Sequence, residues 1–152
     1  MSEYESLLEE SIEVAAPPAQ VWSLVTDLPR MSQWSPQVVR TIVRGPVQLG
    51  TKAFNINRRG PLFWPTRTKV VEFEPHREFA FRVKDNYTVW SFTLEPTATG
   101  TRVIQRRRAP EGISDISIKL TRIALGGQQN FTRELREGMR QTLSRVKAES
   151  EA

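Results

Sequence analysis

The chain has 152 residues, with 22 Lys and Arg against 17 Asp and Glu, one His and no Cys. That is the length of one ordinary domain, 1–152, long enough to bury a core and leave a cavity in it. The absence of Cys excludes disulfides, thiol nucleophiles and thiolate metal sites, and the lone His76 excludes any site built on two imidazoles. The net charge of +5 is uneven: residues 1–50 carry −3, residues 51–110 carry +7 and residues 111–152 carry +1. A basic middle attracts phosphate, anionic lipid or an acidic ligand. The plain alternative is a solvated sheet face. No apolar run approaches the ~18 residues of a membrane span, and the acidic opening MSEYESLLEE is unlike a signal peptide. The expectation is a cytoplasmic chain with no metal or cofactor.

In chain order, residues 6–16 alternate, with Ile12 and Val14 on one side, and predict a half-buried strand. Pro17-Pro18 ends it and opens a short helix carrying Val21, Trp22, Leu24 and Val25. A second short helical stretch covers Arg30–Trp34 and stops before Pro36. From 37 to 109 the period is two. Six strands are predicted, at 37–44, 51–58, 64–74, 78–84, 87–96 and 101–108, divided by Gly, Pro, Asp and Asn turns. Short connections make this an antiparallel meander. After Pro110 the period returns to 3.6. Ile116, Leu120 and Ile123 share one face, and Phe131, Leu135, Met139, Leu143 and Val146 continue it. Residues 128–148 would span roughly 30 Å, enough to cross a sheet. Gly126-Gly127 predicts a kink or break.

This order, with Ile12-Glu13-Val14, Ala16-Pro17-Pro18, Val21-Trp22, Trp34, Gly50, the run Trp90–Pro96, Gly100–Val103 and a long terminal helix, resembles the START-like helix-grip superfamily. Its members include polyketide cyclases and dehydratases and lipid-transport domains. The resemblance spans nearly the whole chain. It implies an α+β fold: a curved seven-stranded antiparallel sheet wrapped around a long C-terminal helix, with two short helices between strands 1 and 2. It also implies a cavity between sheet and helix for a lipid-like or polyketide-like molecule.

A hairpin of 87–96 with 101–108 places Trp90, Phe92 and Leu94 on the side that also carries Val103, Gln105 and Arg107. A buried cation needs a partner, water or a ligand. Gln105 and Arg107 are therefore candidate polar anchors in an apolar pocket, unless the register slips by one and turns them to solvent. Asn55 and Tyr87 are lesser candidates. Further lining candidates are Phe54 and Ile56, Phe79 and Phe81, and, from the helix, Leu120, Ile123, Phe131, Leu135 and Met139; plain core packing is the alternative for each. Phe63-Trp64, after Gly60-Pro61, are read either as a loop near the mouth, with the Trp34 region opposite, or as packing beneath the short helices. His76, in a turn, is expected to be solvated. Arg106, Arg107 and Arg108 alternate faces on a strand, which disfavours nucleic acid, where cations cluster on one surface.

Three functions follow from this reading. The first is a binding module for a small hydrophobic or amphipathic ligand. The second is a cyclase or dehydratase using the same cavity. The third is a basic protein that touches anionic membrane surfaces or RNA through residues 51–110.

Overall fold

The computed structural model describes residues 7–85, 87–109 and 128–152, with side chains in the last segment from 132 onward. The elements are β1 (Leu7–Val14), α1 (Pro18–Val25), a single 3-10 turn (Leu28–Arg30), α2 (Met31–Trp34), β2 (Val38–Val43), β3 (Lys52–Arg59), β4 (Leu62–Glu74), β5 (Glu78–Val83), β6 (Val89–Pro96), β7 (Thr101–Arg108) and the long α3 (Gln128–Glu151). The seven strands form one antiparallel sheet in the order β1-β7-β6-β5-β4-β3-β2. Strands β2 to β7 are sequential neighbours, and β1 adds beside β7. The chain passes from one sheet edge to the other through α1, the turn and α2. This is the expected helix-grip α+β architecture.

Local chemistry sets the breaks. Pro18 opens α1, where a missing N–H costs nothing, and the Thr26 hydroxyl closes it by donating to the Trp22 carbonyl at 2.7 Å. Ser35 precedes Pro36, which forces it out of the helical region, so α2 is only one turn long. Gly100, at the β6–β7 turn, lies on the backbone where β1 ends. A Cβ there would overlap the Val14 carbonyl oxygen and stand 2.8 Å from the Ala16 nitrogen. Beside it the buried Thr101 hydroxyl donates to the Ala16 carbonyl at 2.8 Å. These two contacts fix the corner between β1, α1 and β7.

The inner face of the sheet is divided. Under α1 it is solid. Trp22, Phe73 and Phe79 meet edge to face, with centroids 5.3 to 6.2 Å apart. Val14, Leu94 and Val103 extend this core towards Leu143 and Val146 of α3. His76 is exposed in its turn, as expected, with its ring edge-on to Trp22 at 6.3 Å. The C-terminal half of α3 is tied to the first elements of the chain. Arg140 pairs with Glu10 at 3.0 Å, Lys147 donates to the Glu13 carbonyl, and the Ala15 N–H donates to Glu151. No helix among the described residues is long and apolar enough to cross a membrane. The expected Gly126-Gly127 break lies outside the described residues.

Candidate functional site: a cavity between sheet and helix

The other half of the inner face is open. A cavity of about 560 Å³ lies between strands β3–β7, helix α2 and the first turns of α3. Its walls differ in character. One wall is aromatic and aliphatic: Phe81 and Val83 from β5, Trp90 and Phe92 from β6, and Leu135 and Met139 from α3. Trp34 closes the α2 side.

The other wall is polar and belongs to β3 and β4. Asn55 and Asn57 point inward beside Thr66 and Thr68. The Thr41 hydroxyl donates to the Asn55 amide oxygen at 2.9 Å, and the Asn57 amide donates to the Thr66 hydroxyl at 3.0 Å. The Asn57 amide also donates to the Trp64 carbonyl at 3.2 Å. This ladder satisfies its members, which is what holds buried amides in fixed orientation.

At the back, the β6–β7 register pairs Phe92 with Gln105 and Trp90 with Arg107. Both polar side chains turn inward. Arg107 is 3% exposed and borders the cavity. The Gln105 amide oxygen and the Trp34 indole N–H are buried with no hydrogen-bond partner among the described residues. Each is an oriented polar group that a ligand or a water can satisfy.

Phe63 and Pro65 of β4 and Glu134 of α3 are exposed residues of the lining, and we take this side as the mouth. The Arg59 guanidinium, at the end of β3, grips Glu134 of α3 through two 2.7 Å hydrogen bonds. That bond holds the Glu134 carboxyl below the usual carboxylate range, against a smaller opposing effect of burial. The same bond raises Arg59. The pair latches the β3–β4 hairpin to the long helix in the bidentate geometry that makes Arg–carboxylate pairs specific.

Among the residues nominated from sequence, Phe81, Trp90, Phe92, Gln105, Arg107, Leu135 and Met139 border this cavity, and so does Asn55. Phe54 and Ile56 do not. They lie on the outer face, Phe54 41% exposed, because Ala53, Asn55 and Asn57 take the inward phase of β3. Phe79 is fully buried but belongs to the solid core under α1. Tyr87 is exposed, with Arg82 over its ring. Leu120 and Ile123 lie outside the described residues, as does the Phe131 side chain. Phe63 and Trp64 sit not in a loop but in β4, straight after the Gly60-Pro61 turn. The threonines were missed. Their signal was a shared phase: Thr41, Asn55 and Thr66 fall in register across three strands.

A sheet gripping a terminal helix around an internal cavity defines a helix-grip protein. The family model described as "Polyketide cyclase / dehydrase and lipid transport" matches residues 7–151, and the chain belongs to that family. No curated protein matches the sequence. Among solved structures, the chain resembles the di-domain ARO/CYC StfQ from the steffimycin biosynthetic pathway (TM-score 0.76, 16% identity, 98% of this chain and 51% of that one). It resembles the di-domain ARO/CYC BexL from the BE-7585A pathway similarly (0.75, 17%, 99% and 52%). It thus spans about half the length of those two proteins. Protein CV1439 from Chromobacterium violaceum matches over nearly its whole length (0.71, 15%, 97% and 99%). At these identities the likeness is one of fold.

Proposed function

We propose that this chain is a single cytoplasmic ligand-binding domain that takes one small amphipathic molecule, lipid-like or polyketide-like, into the cavity. The observation that carries the reading is the two-sided lining. Phe81, Trp90, Phe92 and Met139 offer apolar area, while Asn55, Asn57, Gln105 and Arg107 offer oriented donors and acceptors. About 560 Å³ is in the range of small-molecule sites. An apolar body with oxygen substituents on one edge fits both walls at once.

Trp34, Trp64 and Trp90 all border the cavity, so occupancy reads out in intrinsic fluorescence. The test titrates a dihydroxyanthraquinone and a fluorescent fatty acid, and examines the purified protein by native mass spectrometry for a carried ligand. Saturable one-to-one quenching, lost in the cavity-filling variant Thr68→Phe while the circular dichroism is kept, is the expected result. Quenching that never saturates, or that survives Thr68→Phe, rejects the reading.

A catalytic reading comes second, and Arg107 favours it. A buried guanidinium bordering the cavity can stabilise an oxyanion that develops on a held carbonyl chain. Arg107→Ala that keeps ligand binding but loses cyclisation of a poly-β-keto substrate supports catalysis. Equal loss of both leaves Arg107 as a binding anchor.

A further inference from the structure

The opposite face of β2, β3 and β4 has no part in the cavity, and its chemistry is distinct. Residues 28–71 contain eight Lys and Arg and not one Asp or Glu. Register places Arg40, Lys52, Arg58 and Lys69 on the outer side of these strands, and all four are exposed. Arg67 shares this face but pairs with Asp85 at 3.3 Å. The same face carries apolar side chains with nothing over them. Ile42 and Phe54 are adjacent partners, 45% and 41% exposed. Phe63, 55% exposed, stands beside Arg58, whose guanidinium lies 5.4 Å from its ring. Val39 and Val71, at the register irregularities of β2 and β4, and Leu49, in the β2–β3 connection, are exposed as well. Six of the eight large apolar side chains exposed among the described residues therefore fall in this one third of the chain.

We infer that this face docks on an anionic phospholipid bilayer. Charge complementarity is the first argument. Asp85 engages Arg67, and Glu72 and Glu74 lie at the far end of β4, but Arg40, Lys52, Arg58 and Lys69 leave this face a cationic excess that draws it to a negative headgroup layer. The second is the kind of apolar group. Four of the six are aliphatic, and these gain by entering the headgroup–acyl boundary. The outward positions of β2 to β4 also lack Asn, Gln, Ser and Thr, the uncharged side chains that read base edges. The same face of a second copy of this chain, with the same cationic excess, is repelled from it. The surface reaches the cavity at Phe63 and Pro65, which border it and are exposed on the outward phase of β4. Docking on this face thus sets the mouth beside the lipid surface.

The test is flotation of the full chain, without cavity ligand, on vesicles of phosphatidylcholine alone and of phosphatidylcholine mixed equally with phosphatidylglycerol, at low and high salt. Binding is expected only to the anionic vesicles, and to fall as salt shortens the reach of the charges. Arg40→Gln/Lys69→Gln should weaken it about 25-fold, taking about fivefold per cation. Ile42→Ser/Phe54→Ser should weaken it about tenfold or more and leave the salt dependence in place. Arg102→Glu, exposed on β7 at the far side of the sheet, is the charge control and should bind nearly as the parent does. Equal binding to neutral vesicles, indifference to Ile42→Ser/Phe54→Ser, or tighter binding to a uridylate oligomer than to any vesicle would overturn the proposal. The cavity reading survives each of these outcomes, because no cavity ligand is present.

Discussion

Gln105→Met offers a direct look at how the cavity trades stability for binding. The Gln105 side chain is 7% exposed, and its amide oxygen is buried with no partner among the described residues. A buried acceptor left unmade costs about 1–3 kcal/mol. Cavity water recovers part of that, so we take about 1 kcal/mol. Met has the same length and no polar atom, and in the empty protein it removes the penalty while keeping the volume. The unliganded variant should therefore be more stable by about 1 kcal/mol, or roughly 2–4 °C in Tm for a domain of this size. Binding should move the other way. A dihydroxyanthraquinone loses one polar partner, and about 1–1.5 kcal/mol lost is roughly five- to tenfold in Kd. Unsubstituted anthraquinone should bind both forms alike. Urea denaturation gives the first quantity and calorimetric titration the second. A less stable unliganded variant, or an equal loss for both anthraquinones, refutes the reasoning.

Three further outcomes follow from the packing and the ion pairs. Gly100→Ala forces a methyl into the Val14 carbonyl and should cost about 3 kcal/mol, the upper end of overpacking, by urea denaturation. Leu143→Ala opens a hole where α3 meets the core under α1 and should cost about 2–5 kcal/mol while ligand affinity changes little, since Leu143 does not border the cavity. Glu134 and Glu151 are both held below the usual carboxylate range, the first chiefly by Arg59 and the second chiefly by the Ala15 N–H, then Lys147. Their stabilisation is present above the unfolded Glu value of about 4.3 and is lost as pH falls below it. Glu134→Gln should flatten the stability–pH curve in that acid range, and an unchanged curve would mean the latch carries nothing.

How far the sequence exposed the site depends on what each strand faces. On β6 and β7 the alternation of Trp90, Phe92 and Leu94, closed by a turn at Gly100, fixed the register. Gln105 and Arg107 could then be placed inward by pairing alone. On β3 the same rule failed. It assumes that the more apolar side of a strand is the buried side. In KAFNINRR the apolar Phe54 and Ile56 face outward, and Asn55 and Asn57 face a cavity whose wall is polar. Period alone cannot tell a water-facing amide from a cavity-facing one. The neighbouring strands can, because Thr41 and Thr66 pair across with Asn55 and are useful there only as a hydrogen-bonded ladder. Phe79 failed for a different reason: it is inward, as expected, but only half of the inner face is hollow.

That division of the inner face explains the apparent excess of apolar side chains on the outside. A strand lining a polar cavity spends its inward positions on amides and hydroxyls, so β3 contributes only Ala53 to the core. Its outward positions are then free of the usual demand to be merely soluble. In β2 to β4 they carry Ile42, Phe54 and Phe63 among the exposed cations Arg40, Lys52, Arg58 and Lys69. Exposed apolar area on a sheet face is a liability that charge on the same face restrains. Retaining both together is costly unless a surface of opposite charge and apolar depth covers them. One hairpin, β3–β4, thus carries two chemistries on its two faces, a hydroxyl and amide wall towards the ligand and a cationic apolar wall away from it. The Arg59–Glu134 latch sits where the two meet, at the mouth. A ligand that enters beside Phe63 would pass near that ion pair. Exchange should therefore respond to anything that loosens it, whether acid, salt or an anionic surface competing for Arg59.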